Sequence, residues 1–104
     1  MPTIFQMIVG VVTMNIPPIT SIEDALRVYY SNSELGNKEI TTLFGKRSSA
    51  TVSRLKRLAK DAMTARSILS YRANTVNTPV AYEVWGIDVK DLERRMKKIK
   101  ELSL

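Results

Sequence analysis

The fold is decided by the stretch from Asn37 to Leu58, which reads NKEITTLFGKRSSATVSRLKRL. Its first part predicts a short helix over about 37–44, because apolar residues recur there at the i, i+3, i+4 spacing of one helix face: Ile40, Leu43 and Phe44. Gly45 follows this stripe, at a position where a glycine in the left-handed conformation commonly ends a helix. We therefore expect Lys46, Arg47 and Ser48 to form a tight connection to a second element.

The second element is predicted to be a helix from about Ser49 to about Arg66, with Ser48 as its N-cap. At the period of an α-helix one face is small and aliphatic, with Leu58 on its shoulder: Val52, Leu55, Ala59, Ala62 and Met63. The opposite side carries short polar groups and cations: Ser49, Ala50, Ser53, Arg54, Arg57 and Lys60. This pattern is typical of a helix that packs on a partner helix and turns its polar face outward.

The positive charge of the chain is concentrated in the same region. The net charge is +6, and residues 46–72 hold eight Lys and Arg side chains against Asp61 alone. Residues 1–45 carry a net charge of −2 and residues 73–104 a net charge of +1. Such a local field attracts polyanions, although a solvated helix face would explain the charge equally well.

These two helices resemble the helix-turn-helix segment of bacterial and phage DNA-binding proteins. The resemblance rests on Ile40, Phe44, the turn residue Gly45 and the run Thr51–Leu55, and its segment covers about a fifth of the chain. It implies that Val52 and Leu55 anchor the second helix, and that this helix lies in the major groove of DNA. The interval from Gly45 to Thr51 is one residue longer than in the commonest form of the motif, which lengthens the turn and leaves open which of its residues reach base edges.

The resemblance also implies roles for individual side chains. Arg54 and Arg57 are the candidates for guanine contacts, because a guanidinium group can bond to O6 and N7 together. Phosphate contacts are expected from the neighbouring cations and from the N-terminal amides of the second helix, and the serines suit either role. The predicted DNA-binding set is Lys46, Arg47, Ser48, Ser49, Ala50, Ser53, Arg54, Lys56, Arg57 and Lys60.

The first twenty residues form an apolar N-terminal extension. Residues 3–14 are too short to span a bilayer and lack the positively charged start of a signal peptide, so no membrane partner is expected. Their β-branched content suits a short strand or an irregular packed segment. An alternative is that Met14 is the natural start.

The remaining elements complete an all-α domain of four or five helices over residues 21–104. A helix over about 21–31 follows Pro17 and Pro18, and periodicity is lost between Ser67 and Asn77. Residues 78–85 predict a helix with Thr78 as its N-cap, although residues 80–85 also alternate like a strand that would form the wing of a winged helix. Asp88 caps a last helix whose apolar positions are Val89, Leu92, Met96 and Ile99.

Composition excludes several function classes. The chain has no cysteine and no histidine, so disulfides, thiolate metal sites and most nucleophilic or acid–base constellations lose their usual residues. No metal, cofactor or enzymatic activity is therefore expected. RNA binding is disfavoured, because the aromatic residues are not interleaved with the basic cluster.

The sequence predicts a cytoplasmic protein that binds double-stranded DNA, acting as a transcriptional regulator of a bacterium or phage. The alternatives are a DNA-recognition protein similar to a phage terminase small subunit, and a protein-interaction adaptor on a trihelical scaffold. The last helix has an apolar repeat of about two heptads, which favours packing on its own domain over a coiled coil. A homodimer remains open.

Overall fold

The computed structural model describes residues 16–102. This part of the chain is mostly helical, with five helices and one short pair of strands, in the order α1 Ile22–Ser31, β1 Glu34–Leu35, α2 Asn37–Phe44, α3 Ser49–Ala65, β2 Val76–Asn77, α4 Thr78–Val84 and α5 Val89–Leu102. The predicted N-terminal strand and the alternative start at Met14 lie outside the described residues. Within the described range, every helix predicted from the sequence is present, and residues 78–84 form the helix instead of a wing strand.

Local capping groups set the helix boundaries. The Ser21 hydroxyl accepts a hydrogen bond from the Asp24 N–H at 2.9 Å, and α1 begins directly after it. At α4 the predicted cap was wrong by one residue. The amide oxygen of Asn77 accepts from the Val80 N–H at 3.0 Å, so Thr78 is already helical. Asn77 can take the N-cap position in place of Thr78, because an asparagine side-chain oxygen accepts from the first-turn N–H groups as well as a threonine hydroxyl does.

Gly45 ends α2 as predicted, but in a different conformation. Its φ of 80° with ψ of −178° is extended, not left-handed helical, and its N–H donates to the Thr41 carbonyl at 2.8 Å. A positive φ with extended ψ is accessible almost only to glycine. The chain therefore leaves α2 abruptly, and four residues, 45–48, connect it to α3.

The core lies where α3 and α4 face each other, beside α1 and α2. Residues from every element contribute buried apolar side chains: Ala25, Val28, Leu35, Ile40, Leu43, Phe44, Leu55, Ala59, Met63, Val76, Val80, Ala81, Tyr82, Trp85 and Leu92. Two polar atoms on aromatic rings find backbone partners here. The Tyr82 hydroxyl donates to the Ala25 carbonyl at 2.6 Å, and the Trp85 indole N–H donates to the Leu55 carbonyl at 2.9 Å. Burial of these rings therefore leaves neither polar atom unpaired.

A two-stranded antiparallel sheet is the feature that the sequence did not predict. Leu35 pairs with Val76, and Glu34 pairs with Asn77. Two residues are too few to show the alternating pattern of a strand, so no local signal marked either segment. The pairing places the chain that follows α3 beside the start of α2.

Glu34 holds the segment between α3 and β2 in place. Glu34 is only 4% exposed. Its carboxylate accepts hydrogen bonds from the Tyr71 N–H at 2.5 Å, the Arg72 N–H at 3.2 Å and the Thr75 hydroxyl at 2.8 Å. The Arg72 side chain adds an ion pair at 3.6 Å. A buried carboxylate is tolerated where donors surround it in this way. We call residues 67–75 the clamped loop.

The hydrogen bonds between Glu34 and the clamped loop predict that the stability of the fold depends on pH. Hydrogen bonds from the Tyr71 N–H and the Thr75 hydroxyl lower the pKa of Glu34 from its usual value. The pKa of Glu34 is lower in the folded state than in the unfolded state. Ionised Glu34 therefore contributes fully to the free energy of unfolding above the unfolded-state pKa of about 4.3, and this contribution is lost as the pH falls through the folded-state pKa. We expect Glu34→Gln to lower the urea midpoint at neutral pH, because the amide nitrogen faces donors.

The measurement is urea unfolding of both proteins from neutral pH into acid, in which the difference between their midpoints should narrow. Other carboxylates titrate in both proteins and cancel in the difference. A difference that stays constant through pH 4 would contradict a stabilising ionised Glu34.

Candidate nucleic-acid interface

The polar face of α3 is exposed along the whole helix. Leu55, Ala59 and Met63 are buried on the opposite side, and Val52, Leu58 and Ala62 are half-buried against the same core. The predicted face residues are all exposed: Ser49, Ala50, Ser53, Arg54, Arg57 and Lys60. The amphipathic pattern of the sequence therefore gave the orientation of this helix.

The start of α3 is exposed as well. Ser48 caps the helix as predicted, with its hydroxyl oxygen accepting from the Thr51 N–H at 3.2 Å. The first intrahelical bond runs from the Val52 N–H to the Ser48 carbonyl. The N–H groups of Ser49 and Ala50 precede this bond and point along the axis, where the helix dipole adds partial positive charge. This end of α3 suits an anionic group.

Arg47 lies in the connection and is partly committed to it. Its Nε–H donates to the Phe44 carbonyl at 3.0 Å, which satisfies one of the last carbonyl groups of α2. The side chain therefore stabilises the end of α2, while the residue as a whole stays exposed. Lys46 beside it is also exposed.

Ion pairing divides the eight cations of residues 46–72 into two groups. Arg66 forms two hydrogen bonds with Glu83, at 2.8 and 3.1 Å, and Arg72 pairs with Glu34. Between residues 16 and 102, no carboxylate forms a salt bridge with the other six: Lys46, Arg47, Arg54, Lys56, Arg57 and Lys60. These six are the six cations that the sequence assigned to DNA. Along α3 and its connection these six cations thus form no ion pair within residues 16–102, and Asp61 is the one acidic residue of that helix.

Lys56 occupies a different environment from the other cations. It is half-buried at the edge of the face, and burial, followed by repulsion from Lys60, lowers its pKa. Lys60 lies one turn further along on the same flank. Lys56 thus borders the exposed face of α3, and partial burial of this kind is common for long cationic side chains, whose stems can cover apolar surface.

Trp85 joins α2 to α3, a role that sequence reasoning missed. Its ring meets the ring of Phe44 edge-on at a centroid distance of 5.4 Å, while its N–H bonds to the Leu55 carbonyl. Helix α3 packs mainly on α4 and β2. The indole ring thus fills the angle between α2 and α3, where direct contact is sparse.

Two further observations on the described range concern metal ions and membranes. No group of three or more His, Cys, Asp or Glu side chains that could hold a metal ion occurs within residues 16–102. Among the helices that the structure describes, none is long and apolar enough to cross a membrane. We found no matching protein-family model, no matching curated protein and no matching solved structure for this chain.

Proposed function

We propose that the protein binds double-stranded DNA in a sequence-dependent manner, with α2, the connection and α3 acting as a helix-turn-helix. In this proposal α3 lies in the major groove, and the protein regulates transcription in a bacterium or phage. The observation that carries it is the exposed face of α3, whose cations have no carboxylate partner in the described chain. Short side chains at 49, 50 and 53 allow the helix backbone to approach base edges closely.

The charge arrangement supports a polyanionic ligand over a neutral one. The two arginines of this segment that form ion pairs lie beyond the C-terminal end of α3, whereas the unpaired cations lie along it or in the connection. Each phosphate neutralised by such a cation releases counterions, so DNA affinity should fall steeply with salt. A solvated helix face that binds nothing would show no such dependence.

The proposal is tested by selection from a pool of random-sequence duplexes at low salt, followed by fluorescence anisotropy with the selected sequence and with a scrambled one. We expect enrichment of one sequence class and a logarithmic salt slope of about −0.9 for each phosphate contacted. If no duplex, selected or random, binds at low salt, the DNA proposal is wrong and an adaptor function gains support.

Lys60→Ala separates phosphate contact from base recognition. Lys60 is exposed on the flank of α3, where an ammonium group suits a phosphate better than a base edge. We expect weaker binding to the selected and the scrambled duplex alike, with the salt slope reduced by about 1. Lys98→Ala on α5, which also removes an exposed positive charge, is the matched control and should leave the slope unchanged. Unequal losses on the two duplexes would instead assign Lys60 to base recognition.

A further inference from the structure

Asp61 interrupts the positive face of α3. The residue is exposed, and the helical period places it on the same side as Arg54 and Arg57, about one turn beyond Arg57. It is the one carboxylate among residues 46–72 of the sequence. The face that carries the predicted DNA contacts therefore ends in a negative charge.

The fold gives Asp61 no ionic partner within residues 16–102. Arg57 lies four residues earlier, but a cation that precedes a carboxylate is the less favourable order for a pair at this spacing. Asp61 also lies about one turn before the end of α3 at Ala65, where the helix dipole disfavours a carboxylate. The stability of the helix therefore does not explain this charge.

The residues beyond Asp61 do not offset its charge. Arg66 is the next cation along the chain, and its guanidinium forms two hydrogen bonds with the Glu83 carboxylate. Residues 46–60 thus carry six cations without an ionic partner in the described chain, whereas residues 61–66 carry one such carboxylate and one paired arginine. The charge of the polar face changes sign between Lys60 and Asp61.

We propose that Asp61 determines specificity in DNA binding by repelling phosphate groups, so that it weakens binding to non-target duplexes more than binding to the target. The inference rests on the proposed function. Asp61 lies about 10 Å along the helix axis from Arg54, and its side chain is short. It therefore lies towards the edge of the contact, where phosphates border the groove.

The two kinds of complex differ in how they orient α3. Binding to a random sequence depends on phosphate contacts, which many orientations of the helix can supply. Orientations that lay the whole of α3 along the backbone bring Asp61 against phosphates and are disfavoured. On the target, base contacts from the first turns of the helix fix one orientation, in which Asp61 lies beyond the contacting cations. A repulsive group can thus raise specificity without adding an attractive contact.

The test is Asp61→Asn, which keeps the shape of the side chain and removes its charge. We expect the scrambled duplex to bind about fivefold more tightly, which is the effect of removing one repulsion between unit charges about 4 Å apart in water. The selected duplex should bind within about twofold of the wild type. Fluorescence anisotropy with both duplexes measures the ratio, which falls through a gain on the scrambled duplex.

Two further variants control for net charge and for the side chain itself. Glu101→Gln on α5 also removes an exposed carboxylate and gives the same net charge, and it should leave both affinities unchanged. Asp61→Glu keeps the charge and should bind both duplexes as the wild type does. The urea midpoint of Asp61→Asn should not fall below that of the wild type, because no salt bridge of the described chain is lost.

The outcomes separate the inference from the proposed function. If Asp61→Asn binds both duplexes as the wild type does, or binds both more tightly to the same degree, the inference is overturned and the DNA-binding proposal stands. The same follows if Glu101→Gln reproduces the gain, which would assign it to net charge. Weaker binding of Asp61→Asn to the selected duplex would assign Asp61 to a base contact and also overturn the inference. If the wild type binds no duplex, both proposals fail together.

Discussion

Replacing Trp85 with alanine is expected to destabilise the protein by about 3–5 kcal/mol, the usual cost of deleting a buried aromatic side chain. Trp85 is 3% exposed, contacts the Phe44 ring and donates its N–H to the Leu55 carbonyl. The truncation leaves a cavity at the junction of α2 and α3. Because small domains have a total stability of about 5–15 kcal/mol, this single change would remove a large part of it.

Urea unfolding followed by circular dichroism measures the effect, since Trp85 is the sole tryptophan and the variant has no indole fluorescence to follow. Trp85→Phe retains most of the apolar volume but loses the N–H donor, so we expect an intermediate loss. Lys98→Ala, at an exposed position of α5, is the surface control and should change stability little. A loss below about 1 kcal/mol for Trp85→Ala would contradict a bridging role for this ring.

Arg54→Ala is expected to remove sequence preference more than affinity. Arg54 is exposed on α3 and forms no salt bridge within residues 16–102, so its guanidinium is available for two bonds to guanine. Such a contact provides about 1–3 kcal/mol of discrimination against the wrong base, or roughly 5- to 150-fold. We expect this loss for the selected duplex and a much smaller one for a scrambled duplex.

Competition binding with both duplexes measures the ratio directly. Arg54→Lys is the matched variant, because it keeps the charge and loses the planar pair of donors, and we expect it to lose preference while keeping its salt slope. Repeating the selection with Arg54→Ala should yield sequences that vary at one position. Equal losses on both duplexes would place Arg54 on the phosphate backbone.

Helix positions were predictable because the signals that set them are local. Ser21 and Ser48 cap the helices that follow them, and each hydroxyl oxygen accepts a hydrogen bond from the backbone N–H three residues later. The apolar period of α3 likewise fixed which residues face solvent. The same locality explains the error at α4, where Asn77 and Thr78 both have capping side chains and only the tertiary path of β2 decides between them.

Features that depend on distant residues were not predictable. Glu34 and Thr75 lie 41 positions apart and Leu55 and Trp85 lie 30 apart, and a single sequence carries no signal that joins them. The clamped loop therefore looked like a stretch without periodicity. For the candidate site, the helix period was enough to predict which side chains of α3 are exposed. The partial burial of Lys56 and the hydrogen bond from Arg47 to the Phe44 carbonyl could be seen only in the folded structure.

Because Trp85 fills the junction between α2 and α3, these helices do not constitute a transplantable module. A fragment ending at Ala65 would retain the whole resemblance segment, yet it would lack the indole ring of Trp85, the strand that pairs with Leu35 and the clamped loop. Grafting residues 37–65 onto another scaffold would transfer the surface chemistry without the element that sets the angle between its two helices. A portable unit would therefore have to contain at least α1 through Trp85, and protein engineering of this chain must treat the elements after α3 as part of the same folding unit.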